Sequence, residues 1–246
     1  MKIIGIIPAR YASTRFPGKP LTEINGKSMI RRVFEQASKA SSLNKVVVAT
    51  DDERIYNHVT GFGGFAVYTS SNHQTGTDRC AEVLEKTNGE FNAVINIQGD
   101  EPYINPEQIN QVAELFNDSN TQLGTLIKQL KDESELKSNT IIKVVKNNRN
   151  EAIYFSRNII PYLRNQNDSI SLINQFRYFK HIGIYGYRTD ILAEITKLKQ
   201  SDLELAESLE QLRWLENGYK IKLAETNYDS HSVDIPDDIK KFEGHS

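Results

Sequence analysis

The apolar positions of the first hundred residues fall into short, nearly unbroken runs at 2–7, 45–50, 65–69 and 93–97, separated by amphipathic stretches. A strand that is apolar at almost every position is covered on both faces, as in a parallel sheet; a strand with one wet face would alternate. Between these runs the period changes to that of a helix. Met29, Ile30, Val33, Phe34 and Ala37 share one face of a helix begun near Ser28, Ile55, Val59 and Phe62 mark a second after Asp52, and Ala81, Val83 and Leu84 a third. The order β-α-β-α-β-α-β predicts an open, doubly wound α/β sheet.

Beyond this the pattern loosens. A helix is predicted from Pro106 to about Asn117, then strands at 124–130, 141–146 and 152–156, with polar stretches at 131–139 and 147–150 and a polar loop at 164–175. A strand at 181–187 leads into a helix capped by Thr189, with Ile191, Leu192, Ile195 and Leu198 inward. One further helix is expected over 204–217, closed by Gly218, then a short strand at 221–223 and a short helix at 236–242. The reading is one domain over 1–246 on an open, mostly parallel sheet. Its irregular α+β middle, 125–190, forms an internal subdomain and a candidate dimer contact.

Composition narrows the class. The 246 residues carry a net charge of −2 and are 38% apolar and 25% charged, ordinary values for a soluble globular chain. A nucleic-acid binder would carry a basic excess. The single cysteine, Cys80, leaves no disulfide framework and no cysteine-based zinc site within the chain. No apolar run reaches the roughly 18 residues of a membrane span, and the run at 3–7 ends at Pro8 and Arg10, too early for a signal-peptide core. A cytoplasmic protein without membrane insertion is expected. The near-neutral total hides an asymmetry: residues 1–32 sum to +6 and residues 201–246 to −6. Head and tail either attract each other or divide a labour, cations holding an anion and carboxylates a metal.

Ligands of such sheets bind beyond the carboxyl ends of the strands. The loop after the first strand carries Arg10, Arg15 and Lys19 among small residues. Guanidinium forks, a mobile ammonium and backbone donors together suit a triphosphate, although a surface loop with three solvated cations has the same composition. It is not a Walker loop: Gly26-Lys27-Ser28 has the right ending, but Leu21 stands where that pattern needs glycine, and Asn25-Gly26 reads as a hairpin turn. After the fourth strand comes Asp100, at the same sheet edge, where a carboxylate either ends a turn or holds Mg²⁺ together with substrate phosphates. Asp234 is a second carboxylate candidate. In His73-Gln74-Thr75-Gly76-Thr77, Gly76 allows close backbone approach, and Gln74 and Thr77 offer polar groups for a base edge, with Thr77 doubling as a helix cap. On pattern alone His181, near Tyr185, is a structural strand histidine, and His231 and His245 have no metal-ligand spacing.

The run Ile7-Pro8-Ala9-Arg10-Tyr11-Ala12-Ser13-Thr14-Arg15-Phe16-Pro17-Gly18-Lys19-Pro20-Leu21 resembles the opening of the 3-deoxy-manno-octulosonate (Kdo) cytidylyltransferases, the CMP-Kdo synthetases. The resemblance continues in order through Val48–Asp51, His73–Thr77, Asn96–Pro102, Tyr154–Arg157, His181–Tyr187, Leu209–Arg213 and Val233–Pro236, nearly the whole chain. It implies a nucleotidyltransferase-like fold and Mg²⁺-dependent transfer of CMP from CTP to the 2-hydroxyl of Kdo, with release of pyrophosphate, for lipopolysaccharide synthesis. By the same resemblance Arg10, Arg15 and Lys19 hold the triphosphate, and Pro8, Ala9, Gln74, Gly76 and Thr77 line the cytidine pocket. Asp100 and Asp234 hold Mg²⁺, and Arg79, Gln98, Arg157, His181, Tyr185, Glu210 and Gln211 surround the sugar acid. Arg10, Lys19, Asp100 and Asp234 are the implied catalytic set, and a homodimer is implied through the middle segment. Asp78 stands where many members have Glu. Related readings are a cytidylyltransferase for an amino-substituted or nine-carbon acid sugar and a non-catalytic CTP binder. A glycosyltransferase fits less well, because a sugar nucleotide offers this cationic loop only a diphosphate.

Overall fold

The computed structural model describes residues 1–12, 16–87, 89–167 and 169–242, without the side chain of Lys241. The first half follows the predicted alternation: β1 (Ile3–Ala9), α1 (Met29–Ala37), β4 (Lys45–Thr50), α2 (Glu53–Gly61), β5 (Ala66–Tyr68), α3 (Gly76–Glu85), β6 (Ala93–Asn96) and α4 (Pro106–Glu114). The hairpin β2 (Glu23–Ile24) and β3 (Lys27–Ser28) turns at Asn25 and Gly26, both at positive φ (48° and 74°), the geometry that a tight two-residue turn demands. The second half runs β7 (Leu123–Gln129), α5 (Glu133–Lys137), β8 (Lys143–Lys146), β9 (Ala152–Ser156), α6 (Leu172–Gln175), β10 (Phe179–Arg188), α7 (Thr189–Ile195), α8 (Asp202–Glu207), α9 (Glu210–Glu216) and β11 (Ile221–Glu225).

Among the described residues nine strands form one sheet, in the order β11-β7-β10-β6-β1-β4-β5, with β8 and β9 appended to β10. The pairs β1–β4, β1–β6, β4–β5 and β7–β11 are parallel, whereas β10 is antiparallel to β6, β7 and β8. The expected open, mostly parallel sheet is therefore present. Two apolar layers cover it: α1, α2 and α4 supply Ile30, Val33, Ile55, Val59, Ile109 and Val112 on one face, and α3, α7 and α9 supply Cys80, Val83, Ile191, Leu192, Leu212 and Trp214 on the other. Burial on both faces is why the strand sequences do not alternate.

The expected middle unit begins and ends inside the sheet, since β7 and β10 are two of its central strands. Only the excursion between them leaves it. Leu130, Leu136 and Tyr178 there form a small core of their own.

The helix expected over 204–217 is two helices. Ser208 is left-handed (φ 53°, ψ 50°) and separates α8 from α9 by a sharp elbow. Across it a buried ion pair joins the two: Arg213 Nε and Nη2 donate to Glu204 Oε2 and Oε1 at 2.7 and 2.6 Å, with both side chains under 10% exposed (8% and 7%). Removing one member strands the other charge, which costs about 3–5 kcal/mol. Arg213→Met is therefore expected to lower unfolding stability by about that amount in urea titrations. The paired variant Arg213→Met/Glu204→Leu should recover most of the loss.

Candidate active site

Successive strands leave β1 toward β4 and β5 on one side, and the chain then returns to β6 on the other. The loops that follow β1 and β6 diverge at this switch point and leave a crevice at the carboxyl edge. Its floor is tightly packed backbone. A Cβ on Gly99 would stand 2.7 Å from the carbonyl oxygen of Pro8, and one on Gly76 would stand 3.2 Å from Pro8 Cγ. Pro8 and Gly76 thus meet as expected, and Gly99 joins them. The sequence offered only the small residue before Asp100 as a sign of it. Thr75, not Thr77, caps α3, in a reciprocal capping box with Asp78. The donor-rich start of α3 thereby faces Pro8. Ala9 closes β1 beside this floor, and Gln74 is exposed on the adjoining loop with its amide on the carbonyl of Asn72, 3.2 Å.

Gly18, left-handed at φ 72°, closes the loop after β1 by donating its N–H to the Tyr11 carbonyl at 2.9 Å. Lys19 follows, and its ammonium crosses the crevice to Asp100 Oδ2 at 2.7 Å and the carbonyl of Val233 at 2.9 Å. Arg10 lies among Arg79, Asp51 and Asp78; burial and then the Arg79 charge lower its pKa, and the two carboxylates oppose that shift. Arg15 lies outside the described residues, as does His245.

The two carboxylate candidates are brought together by backbone. Val233 N donates to the carbonyl of Asp100 at 2.9 Å, which seats Asp234 next to Asp100 although 134 positions separate them in the chain. Among the described residues no cluster of three or more His, Cys, Asp or Glu forms a cage. Two carboxylates completed by substrate oxygens and water are the donor set that Mg²⁺ takes. The Lys19 ammonium sets a positive charge against Asp100 at this corner. Beside it the Glu101 carboxyl is pushed up to about 7 by burial, with the Asp100 charge adding to the shift and a hydrogen bond from Ser230 opposing it.

The expected sugar side lies where β10 changes neighbours. A register shift between Ile182 and Tyr185 divides this strand: its first half lies between β7 and β8, and its second half between β7 and β6. Gln98 bridges the gap, its amide donating to the carbonyl of Gly183 at 3.0 Å. His181 sits against Phe155 and Tyr185, ring centroids 5.2 Å from each. Its Nε2 is 3.0 Å from Thr125 Oγ1. The one proton of that hydroxyl goes to the carbonyls of Ile184 (2.6 Å) and Ile182 (3.1 Å), so Nε2 is the donor and Nδ1 the acceptor. Burial drives the His181 pKa down to about 3.

Tyr185 and Tyr187 both meet the edge of Trp214, at 5.1 and 5.7 Å. Their hydroxyls lie near Thr125 and near Thr77 and Asn96 without completing a well-formed hydrogen bond. Gln211 Nε2 is buried with no hydrogen-bond partner among the described residues, which marks a polar position open to another acceptor. Thr77 ties the nucleotide and sugar sides together, its hydroxyl donating to Glu210 Oε2 at 3.0 Å. Burial raises the Glu210 carboxyl, and that hydrogen bond opposes the shift.

Two arginines are placed differently from expectation. Arg79 is fully buried; Nη2 is 2.9 Å from Asp51 and Nη1 2.7 Å from Thr69 Oγ1. It braces the ends of β4 and β5 against α3, with both terminal nitrogens engaged and Nε buried without a hydrogen-bond partner among the described residues. Arg157 does reach the α8–α9 elbow, but its Nε donates to the carbonyl of Glu207 at 2.7 Å, with Nη1 and Nη2 on those of Asn139 (3.2 Å) and Ser208 (3.4 Å). Behind it the fully buried Lys143 donates to the carbonyls of Ser138, Ile141 and Arg157, and Glu207 accepts from Ser156 Oγ and Arg157 N. Nothing in the local sequence separates Lys143 from a surface lysine.

A cytidylyltransferase family profile matches residues 4–221. The 3-deoxy-manno-octulosonate cytidylyltransferase of Parabacteroides distasonis is 53% identical over 98% of this chain and 96% of its own. That of Bacteroides thetaiotaomicron is 52% identical over 99% and 97%. A solved structure of CMP:2-keto-3-deoxy-manno-octonic acid synthetase complexed with CTP superposes with a TM-score of 0.90 at 41% identity, covering 98% of this chain and 96% of that one.

His181 carries a pH signature. Its folded pKa of about 3 lies below the usual 6.5, so the unfolded chain binds its proton first. Stability is full above 6.5 and drains as pH falls toward 3. Between pH 7 and pH 5 the loss from this residue is up to about 2 kcal/mol, and His181→Gln should remove that part of the slope in urea unfolding at the two pH values.

Proposed function

The chain belongs to the 3-deoxy-manno-octulosonate cytidylyltransferases, and on that footing we propose that it transfers CMP from CTP to Kdo, releasing pyrophosphate and giving CMP-Kdo for lipopolysaccharide synthesis. The observation that carries the reading is the Lys19 ammonium spanning the β1–β6 crevice to Asp100 and Val233, because it sets the cationic loop and the carboxylate pair face to face.

In this reading the base and ribose lie on the Pro8–Ala9 floor against Gln74 and the start of α3 at Gly76 and Thr77. Arg10, Arg15 and Lys19 hold the triphosphate. Lys19 exchanges Asp100 for phosphate oxygens when CTP arrives, and the charge that builds on departing pyrophosphate is met by Lys19 and Arg10. Asp100 and Asp234 would hold Mg²⁺, which when bound polarises the α-phosphate and acidifies a nearby hydroxyl. The 2-hydroxyl of Kdo attacks the α-phosphorus in line. Its O–P bond forms as the bond to pyrophosphate breaks, and the hydroxyl proton passes to water. Such transfers ask the protein for position and charge more than for covalent help.

Gln98, His181, Tyr185, Glu210 and Gln211 are assigned to the sugar. The neutral His181 offers Nδ1 as an acceptor, and the unpaired Gln211 amide offers a donor. Arg157 can serve the sugar carboxylate by giving up its weakest carbonyl contacts, those at 3.2 and 3.4 Å. A homodimer through the excursion is supported by Ile153 and Tyr162, 59% and 81% exposed there. Cytoplasmic location accords with a CTP-dependent reaction. Among the described residues no helix is long and apolar enough to cross a membrane.

Purified protein with Mg²⁺ should release pyrophosphate only when CTP and Kdo are both present. EDTA should stop release, and UTP or ATP should not replace CTP. CTP binding without release would redirect the assignment to another acid sugar. Asp100→Asn is expected to lower kcat by roughly 10²–10³-fold with unchanged unfolding stability, and normal turnover would remove the metal role. Arg10→Ala should lower kcat/KM and raise the KM for CTP, as steady-state titrations would show.

A further inference from the structure

Asp234 reaches the site on a strap without regular structure. After β11 ends at Glu225 the chain runs along the carboxyl edge of the sheet, past β7 and β10, to the 3₁₀ helix Pro236–Phe242. Its two ends are stitched by backbone: Thr226 N donates to the carbonyl of Ile127, and Val233 N to that of Asp100, both at 2.9 Å. Between them stands Asp229. Its Oδ2 lies 2.5 Å from the ammonium of Lys128 on β7, and its Oδ1 lies 3.3 Å from that of Lys180 on β10. Lys128 and Lys180 are direct cross-strand partners. Like charges so opposed repel, and these side chains are only 18% and 12% exposed, so water screens them poorly. Lys180 has a second carboxylate, Glu135 at 2.6 Å, but among the described residues Lys128 has no other acidic partner.

The strap is held at three points. The stitch at Val233 and the Lys19 bridge hold the end that carries Asp234 beside Asp100. In the middle the hold comes from Asp229, pulled toward the sheet by two lysines on adjacent strands, with Ser230 hydrogen-bonded to the buried Glu101 just beyond it.

We propose that Lys128, Asp229 and Lys180 form a positioning clamp that fixes the 226–235 strap and thereby sets the divalent-cation affinity of the Asp100–Asp234 pair. None of the three is a catalytic residue; they act through the backbone that carries Asp234. The inference rests on the reading that Asp100 and Asp234 hold the metal, and its test separates the two.

The test titrates Mn²⁺ into the full chain with CTP present and follows water-proton relaxation, with the Mn²⁺–CTP signal subtracted. Binding of CTP without metal is measured in parallel. Asp229→Asn is expected to weaken Mn²⁺ binding by roughly tenfold, the low end for residues that orient metal ligands, while metal-free CTP affinity stays within about twofold. Asp229→Glu, which keeps the charge, should restore most of it. Asp234→Asn should abolish the protein-dependent enhancement. If Asp234→Asn binds Mn²⁺ like the parent, or the parent shows no enhancement, the metal reading itself fails. If Asp234→Asn loses the ion and Asp229→Asn keeps parental affinity, the clamp alone is overturned. Equal weakening of CTP affinity without metal would also overturn it, because the strap would then be a general scaffold.

Discussion

Asp100 and Asp234, 134 positions apart in the chain, are brought to one edge of a sheet, and the pairing of charge with opposite charge is the constraint around which this edge is arranged. Several acidic groups there have a cation set against them. Lys19 meets Asp100, Arg79 meets Asp51, and Lys128 and Lys180 meet Asp229. Arg10 lies in the field of Asp51 and Asp78. Glu101 is buried instead, and burial makes it hold its proton more tightly. The contrast between a basic head and an acidic tail takes physical form here: Lys19 of the head grips the backbone just before Asp234 of the tail. Ile24 and Met29 bury themselves with Val233 and Phe242 nearby. Attraction between head and tail across the fold takes the form of this contact.

What the sequence disclosed follows from which forces are local. Strands covered on both faces are written as continuous apolar runs, so the sheet core could be read directly, and with it Asp100 at the end of one run. The Asn25-Gly26 turn was equally plain because its backbone angles exclude most residues. The single helix expected over 204–217 shows the opposite case. Its periodicity continues through Ser208, and only the Glu204–Arg213 pair and the docking of Arg157 onto the elbow carbonyls favour the break. Arg157 is about fifty positions away, and Glu204 and Arg213, nine apart, meet only once the chain has turned. Arg79 is a related case: an arginine beside a ligand motif suggests a ligand contact, and nothing local shows that Asp51 and Thr69 hold its terminal nitrogens inside the protein. Asp229 went unremarked since its meaning depends on two lysines made neighbours by strand register.

The elbow also explains why the residues assigned to the sugar need so much support from outside their own helices. α8 and α9 are each under two turns long and would not persist alone. They are held by the buried Glu204–Arg213 pair and by Glu207, which accepts from Ser156 and the backbone of Arg157, and the Arg157 guanidinium covers the last carbonyls of α8. Lys143 underpins that corner from below with three carbonyl acceptors. Glu210 and Gln211 begin α9 directly after the elbow, so their placement is inherited from the excursion between β7 and β10. The irregular middle of the chain is thus part of the site's scaffold as well as an exposed surface.

The aromatic contact beneath that corner makes the protein its own optical reporter. Trp214 is the chain's only tryptophan, 1% exposed, one turn after Glu210 on α9 and edge-on to Tyr185 and Tyr187. Both tyrosines are close enough to pass excitation to it. Its emission therefore comes from one place, between α9 and the strand that carries His181. A shift of α9 or of β10 when a substrate enters changes the intensity or wavelength of that single source, without a label and without a background of other tryptophans.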